Sequence, residues 1–274
     1  MILITGATGN VGREVVRLLL ADGQFVAAVT RDPATAVLPD GADVLRADPD
    51  LALPGVRAVL ISPRAVGDGT AGLLKRAAEQ GATRVVVLSA ATVSHGGGYR
   101  RFADEFRAVE DAAVASGLEW TLLRCTDFAA NNRIWAGQIN AGDVVRGAYG
   151  NSATWPVHEH DVASVAARAL VTEGHIGQSY VLSGPESLSQ RDRVAIIGQA
   201  IGRDLTWQEV APEHVRAAML ALGAPPDAPD RLLGYLADRV EDAGPHSDTV
   251  EVLLGRPART FAEWAAEHAA EFGG

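Results

Sequence analysis

Met1-Ile2-Leu3-Ile4-Thr5-Gly6-Ala7-Thr8-Gly9-Asn10-Val11-Gly12 opens the chain, and its reading decides the fold. Ile2 to Ile4 is a short apolar run with the character of a buried strand. Thr5 to Gly12 turns that strand into a helix that starts near Val11 and runs on through Arg13-Glu14-Val15-Val16-Arg17-Leu18-Leu19-Leu20-Ala21, and a second apolar run, Phe25 to Val29, follows. Each glycine has its own expected role. Gly6 lets the chain leave the strand through a conformation that would crowd a Cβ. Gly9 lets backbone approach a ligand closely, and Gly12 lets the first helix pack tightly against the strand behind it. The helix start, with Thr8, Asn10 and Val11 around it, then offers unpaired N–H groups and the positive end of a dipole, an arrangement suited to a pyrophosphate. In a chain with 29 glycines a Gly-x-x-Gly-x-x-Gly pattern is weak by itself. Its place between a strand and a helix, with a second strand following, makes it specific.

Outward from that segment, strands and helices alternate. Val44–Leu45, Val56 to Ile61, Arg84 to Leu88 and Trp120 to Leu123 read as strands; Ala71 to Gln80 and Tyr99 to Ala115 read as helices, the latter stopped by Ser116-Gly117. Near-continuous apolar strands separated by helices imply a doubly wound parallel sheet of the Rossmann type, covered on both faces. The expected division is a dinucleotide-binding domain over residues 1–130 and a smaller, mainly helical substrate lobe over 131–274, with segments returning to the sheet. In that second half Asp161 reads as the N-cap of a helix Val162 to Thr172, Ser179 to Leu182 as a strand, and Gln190 to Ile201, Pro212 to Leu222, Asp230 to Val240 and Thr260 to Phe272 as helices. Asn131 to Asn151 reads as a polar, Gly-rich stretch.

Composition narrows the partners. A length of 274 residues with 47% hydrophobic and 21% charged residues fits a soluble α/β chain. No apolar run approaches a membrane span, and a strand beginning at residue 2 leaves no room for a leader, so the expected location is the cytoplasm. A formal charge of −10 argues against a nucleic-acid surface. Cys125 is the single cysteine, which excludes an intrachain disulfide and any cysteine-built zinc site. His158 and His160 lack a third ligand and the spacing of zinc motifs, so no metal is expected. The chain carries one lysine, Lys75.

The second strand ends in Val29-Thr30-Arg31, where NAD-preferring sites place an acid on the ribose hydroxyls. A guanidinium there suits a 2′-phosphate, which favours NADP(H), with the Thr30 hydroxyl as an additional donor and Asp32 as the residue that would pull toward NAD. Asp48 stands at the end of the next strand, near the expected adenine edge, with turn chemistry before Pro49 as its alternative role. Ser62-Pro63, Ser89, Thr126 and Phe128 each follow a strand end and should line the remainder of the dinucleotide.

Several motifs together carry a resemblance that spans nearly the whole chain: Thr5 to Gly12; Ala115-Ser116-Gly117-Leu118-Glu119-Trp120-Thr121-Leu122-Leu123-Arg124; Phe128 with Asn131; Pro156-Val157-His158-Glu159-His160-Asp161-Val162-Ala163; Tyr180 to Pro185; and Leu254 to Trp264. The chain resembles the atypical short-chain dehydrogenases called NmrA-like. The resemblance implies NADPH-dependent quinone reductases, triphenylmethane-dye reductases and isoflavone-type reductases, and also NADP-sensing regulators that do no chemistry. Standard short-chain dehydrogenases carry Tyr-x-x-x-Lys on the helix after the fifth strand; here Tyr99 is followed at that spacing by Ala103, so the usual proton relay is absent. Hydride transfer without it needs an acceptor that is already electrophilic, such as a quinone, an enone or a cationic dye.

Ser89, His95 and Tyr99 are the candidate catalytic groups: a strand-end hydroxyl, a loop imidazole and a phenol. Each has a plain structural role open to it, and Tyr99 with Phe102 and Phe106 falls on one helical face suited to packing. Trp155 and His158 are further candidates to face the substrate, and Asn131 to fix a loop. The expected function is reduction of a small conjugated or aromatic acceptor by a monomer or homodimer. The alternative is a nonenzymatic NADP(H) sensor acting through a protein partner, and a third reading is a tailoring step such as isomerisation with the cofactor bound.

Overall fold

The computed structural model describes residues 1–48, 50–95 and 100–274, and side chains outside residues 100–102. In chain order the elements of its sheet-forming part are β1 (Ile2–Ile4), α1 (Asn10–Ala21), β2 (Val26–Thr30), β3 (Asp43–Arg46), β4 (Ala58–Ile61), α2 (Pro63–Val66), α3 (Thr70–Glu79), β5 (Arg84–Ala90), α4 (Thr92–His95), α5 (Arg100–Ala115) and β6 (Glu119–Cys125). There follow α6 (Ala136–Ala141), β7 (Val144–Gly147), β8 (Ala153–Thr154), α7 (Glu159–Val171), β9 (Gln178–Leu182), β10 (Leu188–Ser189), α8 (Gln190–Ala200), β11 (Thr206–Glu209), α9 (Pro212–Ala221), α10 (Ala228–Asp238), α11 (Thr249–Leu254) and α12 (Phe261–Glu267).

The expected doubly wound sheet is present: seven strands in the order β3-β2-β1-β4-β5-β6-β9, every neighbouring pair parallel. Side chains alternate across it. Ile2, Ile4, Leu60, Val86 and Leu123 meet Val15, Val16 and Leu19 of α1 and Val162, Val165 and Leu170 of α7 on one face. Leu3, Val59, Ile61, Val85 and Val87 meet Leu73, Leu74 and Ala77 of α3 and Val109 and Ala113 of α5 on the other. Strand order reverses on either side of β1, the point at which open α/β sheets leave a crevice beyond their carboxyl ends. The Thr5 to Gly12 turn sits at that point.

The second half supplies both core and cover. Helix α7 packs along α1, and Glu14 joins them: it accepts two bonds from Arg17 and lies 2.6 Å from Nδ1 of His160. Those partners, Arg17 first, hold the Glu14 carboxyl down to about 2. Strand β9 extends the sheet beside β6. A separate core of Trp135, Ile139, Val145, Ile197, Phe261, Trp264 and Phe272 builds the lobe. Helix α9 buries none of its residues and packs chiefly on α10, which in turn buries Pro229 and Leu233.

Three helices depart from their expected bounds by two residues or more. Helix α7 starts two residues before the expected cap, because Nδ1 of His158 accepts from the N–H of His160 and takes the capping role; Asp161 lies one turn in, fully buried, bound to Arg256 and to the N–H of Arg259. Helix α10 spans Ala228–Asp238 rather than Asp230 to Val240, Pro229 being accommodated in its first turn. The tail helix, capped by Thr260 and Glu263 in a reciprocal box, ends at Glu267 and continues only as a 3-10 turn over Ala269–Phe272. The Gly-rich stretch before residue 151 is ordered into the 3-10 turn Ala129–Trp135, α6 and β7. Short strands and single-turn helices of this kind carry too few residues for a period to show.

His158 makes the fold pH-sensitive. Its ring is 2% exposed, and its pKa is lowered by burial, against the opposing pull of Glu159, Glu267 and Asp161 and with Arg259 adding to the lowering. The unfolded chain therefore takes up this proton at about pH 6.5, before the folded one does. Stability from this group is complete above about pH 6.5 and drains as pH falls through that value, at no more than about 1.4 kcal/mol per pH unit. Thermal melts from pH 8 to 5 should show that slope in the wild type. They should show less of it in His158→Asn, which keeps a capping oxygen.

Candidate functional site: a dinucleotide cradle and its crevice

The cradle is built by contacts that a side chain at any of its glycines would disturb. Gly6 has φ +63°, and a Cβ there would stand 2.8 Å from Cβ of Ser62. A Cβ on Gly12 would stand 2.2 Å from the Gly6 carbonyl oxygen, so this glycine lets helix and loop close on each other rather than on the strand behind. Gly9 differs. It is exposed, caps α1 without a side chain, and a Cβ on it would meet only the Gly6 oxygen, at 3.3 Å. What a side chain at Gly9 would fill is the space over the helix N-terminus. No side chain caps α1 and its first turn holds no acid, so that end keeps its donors and its positive dipole for an anion. Thr8 and Asn10 are exposed beside it and Val11 is buried beneath. The Thr5 hydroxyl braces the turn, donating to the Leu60 carbonyl at 2.8 Å and accepting from the Ser62 N–H at 2.8 Å. Ser62 and Pro63 thereby open α2 beside Gly6.

At the far side Thr30 ends β2 and Arg31 follows it. Register pairs Thr30 with Arg46 of β3, and Nη1 of Arg46 donates to the Arg31 carbonyl at 3.0 Å, which holds the Arg46 guanidinium against the backbone of the exposed Arg31. Neither forms an ion pair with a carboxylate among the described residues. Asp32 turns back into its own loop, accepting from the Ala34 N–H and the Thr35 hydroxyl. Asp48 likewise accepts from the Asp50 N–H at 2.7 Å, the turn role, while remaining exposed at the strand end. Arg46 was missing from the sequence reading because only the β2–β3 register brings it beside Arg31.

Beyond β5 and β6 the candidate residues are drawn into buried networks. Ser89, 4% exposed, donates to Oε1 of Glu110 at 2.6 Å, and Arg124 grips the same carboxylate at 2.9 and 2.7 Å. With its proton committed, the Ser89 oxygen is left as an acceptor. Thr126 donates to the Trp155 and Leu182 carbonyls, and Phe128 forms a bridge with Val157. Asp127 binds Arg193 at 2.7 Å, Thr154 at 3.0 Å and Asn131 at 2.7 Å, so Asn131 serves the loop. Trp155 stacks on His246 with centroids 4.2 Å apart. The His158 ring is spent on the α7 cap and lies 3.3 Å from Glu267.

His95 is exposed at the end of α4, directly after β5, with Nδ1 2.9 Å from the Ser94 hydroxyl. It lines a cleft of about 650 Å³ with Tyr149 and residues 237–242 at the end of α10 and beyond. Tyr99 lies outside the described residues, as does Pro49, and the Phe102 side chain is likewise outside them.

Residues 6–173 match the model of a family described as NAD(P)H-binding. The chain belongs to that family. Over its full length this NAD(P)H-binding chain is 36% identical to the (4-alkanoyl-5-oxo-2,5-dihydrofuran-3-yl)methyl phosphate reductase of Streptomyces griseus, 99% of each chain being covered. It is 33% identical to the NAD(P)H azoreductase of Xenophilus azovorans, with 100% of this chain and 99% of the relative covered. Among solved structures, an NADPH-dependent quinone oxidoreductase of Escherichia coli complexed with NADPH superposes with a TM-score of 0.80 at 26% identity, over 97% of this chain and 99% of that one. The family member described here is thus an oxidoreductase, as the motifs from Thr5 to Trp264 imply. Among its described residues no helix is long and apolar enough to cross a membrane.

Proposed function

We propose that this chain is a cytoplasmic NADPH-dependent reductase of a small conjugated acceptor, a quinone, an enone or an aromatic compound. The observation that carries it is the uncapped α1 N-terminus behind the bare Gly9; Arg31 and Arg46, exposed at the ends of β2 and β3 without a carboxylate partner among the described residues, and a cleft lined by His95 after β5 stand at the same carboxyl end of the sheet. The first binds a pyrophosphate, the second a 2′-phosphate, and the third leaves room for an acceptor. Three relatives whose names speak of reductases and a quinone oxidoreductase support the same reading.

Bound in this cradle, the nicotinamide would supply a hydride. The protein's part is position: Thr5 and Ser62 hold the turn, Gly6 and Gly12 allow its closure, and the Ser89 oxygen can accept from a ribose hydroxyl or a carboxamide at the end of β5. The lack of a Tyr-x-x-x-Lys pair restricts the acceptor to one already electrophilic.

Calorimetric titration with NADPH and NADH tests the cofactor, and NADPH oxidation against quinones, enones and dyes tests the reaction. Arg31→Ala and Arg46→Ala should each weaken NADPH about five- to tenfold, the loss of one charge-assisted contact to a phosphate, and leave NADH within about twofold. Equal losses for both cofactors would remove the 2′-phosphate from this corner. NADPH binding with no acceptor reduced would favour the sensor reading.

A further inference from the structure

Among the described residues Tyr149 is the single non-glycine with positive φ, at +60°. A left-handed tyrosine is strained, and such residues persist where their surroundings fix them. Here the fixing is dense. Gln190, 7% exposed at the start of α8, donates from Nε2 to both the Ala148 and Tyr149 carbonyls at 2.8 Å. The Ser152 N–H also donates to the Tyr149 carbonyl at 2.8 Å, the Arg191 N–H binds the Gly150 carbonyl at 3.2 Å, and the Gly150 N–H is held by Glu209. A Cβ on Gly150 would run into Trp207, Glu209 and Arg191, so these side chains close directly on the turn.

The result of this clamp is that Tyr149 lines the 650 Å³ cleft together with His95, Asp238, Arg239 and Glu241. The tyrosine is half-buried and its phenol has no hydrogen-bond partner among the described residues. Arg239, by contrast, is occupied: it binds the Asp242 carbonyl at 3.1 Å and lies over the Tyr235 ring. His95, at the end of the short helix that follows β5, puts this cleft at the carboxyl end of the sheet, the end at which the cradle also stands and where open α/β sheets bind their ligands.

We infer that this cleft is the acceptor pocket and that the Tyr149 phenol donates a hydrogen bond, and then its proton, to a carbonyl oxygen of a bound quinone-type acceptor. The inference rests on the reductase reading above. A quinone that gains one hydride and one proton becomes a hydroquinone: the hydride comes from the reduced cofactor, which is oxidised. The proton comes from the phenol, whose O–H bond breaks as a new O–H forms on the acceptor, and solvent at the open cleft restores it. Tyr149 would thus take the place of the absent tyrosine–lysine relay, from a different element and without a lysine.

Equilibrium dialysis of menadione against the protein, NADPH calorimetry and steady-state turnover on wild type, Tyr149→Phe and Tyr149→Gly test this together. Tyr149→Phe should bind menadione about fivefold more weakly, the share of one neutral hydrogen bond, and lose at least tenfold in kcat, with the NADPH Kd unchanged. Tyr149→Gly removes the ring and the strain together. It should melt no lower than wild type while menadione binding falls further. If wild type turns menadione over and Tyr149→Phe matches it in binding and kcat, the pocket is wrong and the reductase stands. If Tyr149→Phe weakens NADPH as much as menadione, the residue serves the cofactor and the inference is overturned. If wild type binds NADPH but oxidises it with no quinone, the reductase reading fails and the proton-donor role with it.

Discussion

Gly12→Ala should abolish dinucleotide binding, weakening NADPH by at least about a hundredfold, and should lower stability by more than the one to three kcal/mol usual for an overpacked site. The added Cβ would lie 2.2 Å from the Gly6 oxygen, 2.9 Å from its carbon and 3.0 Å from Cα of Ala7, all backbone. Backbone cannot rotate aside as the end of a side chain can. Either α1 moves off the loop, which removes its N-terminus from the phosphate position, or the loop opens and the Thr5 bonds to Leu60 and Ser62 are lost. Gly137→Ala is the control. Gly137 lies inside α6 with nothing within 4 Å of its Cβ position, so alanine there should be neutral or gain up to about 1 kcal/mol. Calorimetry with NADPH and thermal melts separate the two variants, and a Gly12→Ala protein that still binds NADPH tightly would place the phosphates elsewhere.

Arg124→Met should be the most damaging single change away from the cradle. Glu110 is 4% exposed and spends both oxygens on Arg124, with Ser89 sharing one. Removing the guanidinium leaves a buried carboxylate with a single hydroxyl for company, a loss of about 3–5 kcal/mol. For a chain of this size that corresponds to a melting temperature lower by roughly 10 °C. Glu110→Gln with Arg124→Met should recover a large part of it, because the uncompensated charge is then gone. Cofactor affinity should change far less than stability, since the network lies beneath the strand ends rather than in the cradle.

The cradle was legible because its requirements are local. Glycine spacing, one strand before and one helix after suffice to place Gly6, Gly9 and Gly12, and the collision distances now give a reason for two of them. The place of Arg31 just past the end of β2 was legible by its distance from that loop. The place of Arg46 beside the Arg31 carbonyl was not, since it depends on a register between strands separated by the whole 31–42 connection. The strand-end hydroxyls mark the limit of such reading. Ser89 and Thr126 stand where sequence puts them, yet a sequence does not reveal that Glu110 reaches across from α5 or that the Trp155 carbonyl lies over Thr126. Tyr149 was hidden for a further reason. A left-handed backbone at a tyrosine follows from what clamps the turn, Gln190 and Ser152, and leaves no mark in the local pattern.

The lobe is threaded through the sheet layer rather than hung from its end. The chain leaves the sheet near Phe128, returns as α7 and β9, leaves again past Ser183, returns as α11 against α7 and β9, and finishes in α12 on α8. A body attached by so many passes has no single hinge, and rotating it as a unit would shear β9 from β6. The α9–α10 hairpin is held unequally: α10 is anchored by buried Pro229 and Leu233 and, just past its end, by the Arg239 carbonyl, which accepts from the Ala153 N–H at 2.9 Å, whereas α9 buries none of its residues. Sequence change on α9 therefore costs the scaffold least, while the cleft wall over residues 237–242 stands on anchored chain and cannot vary as freely.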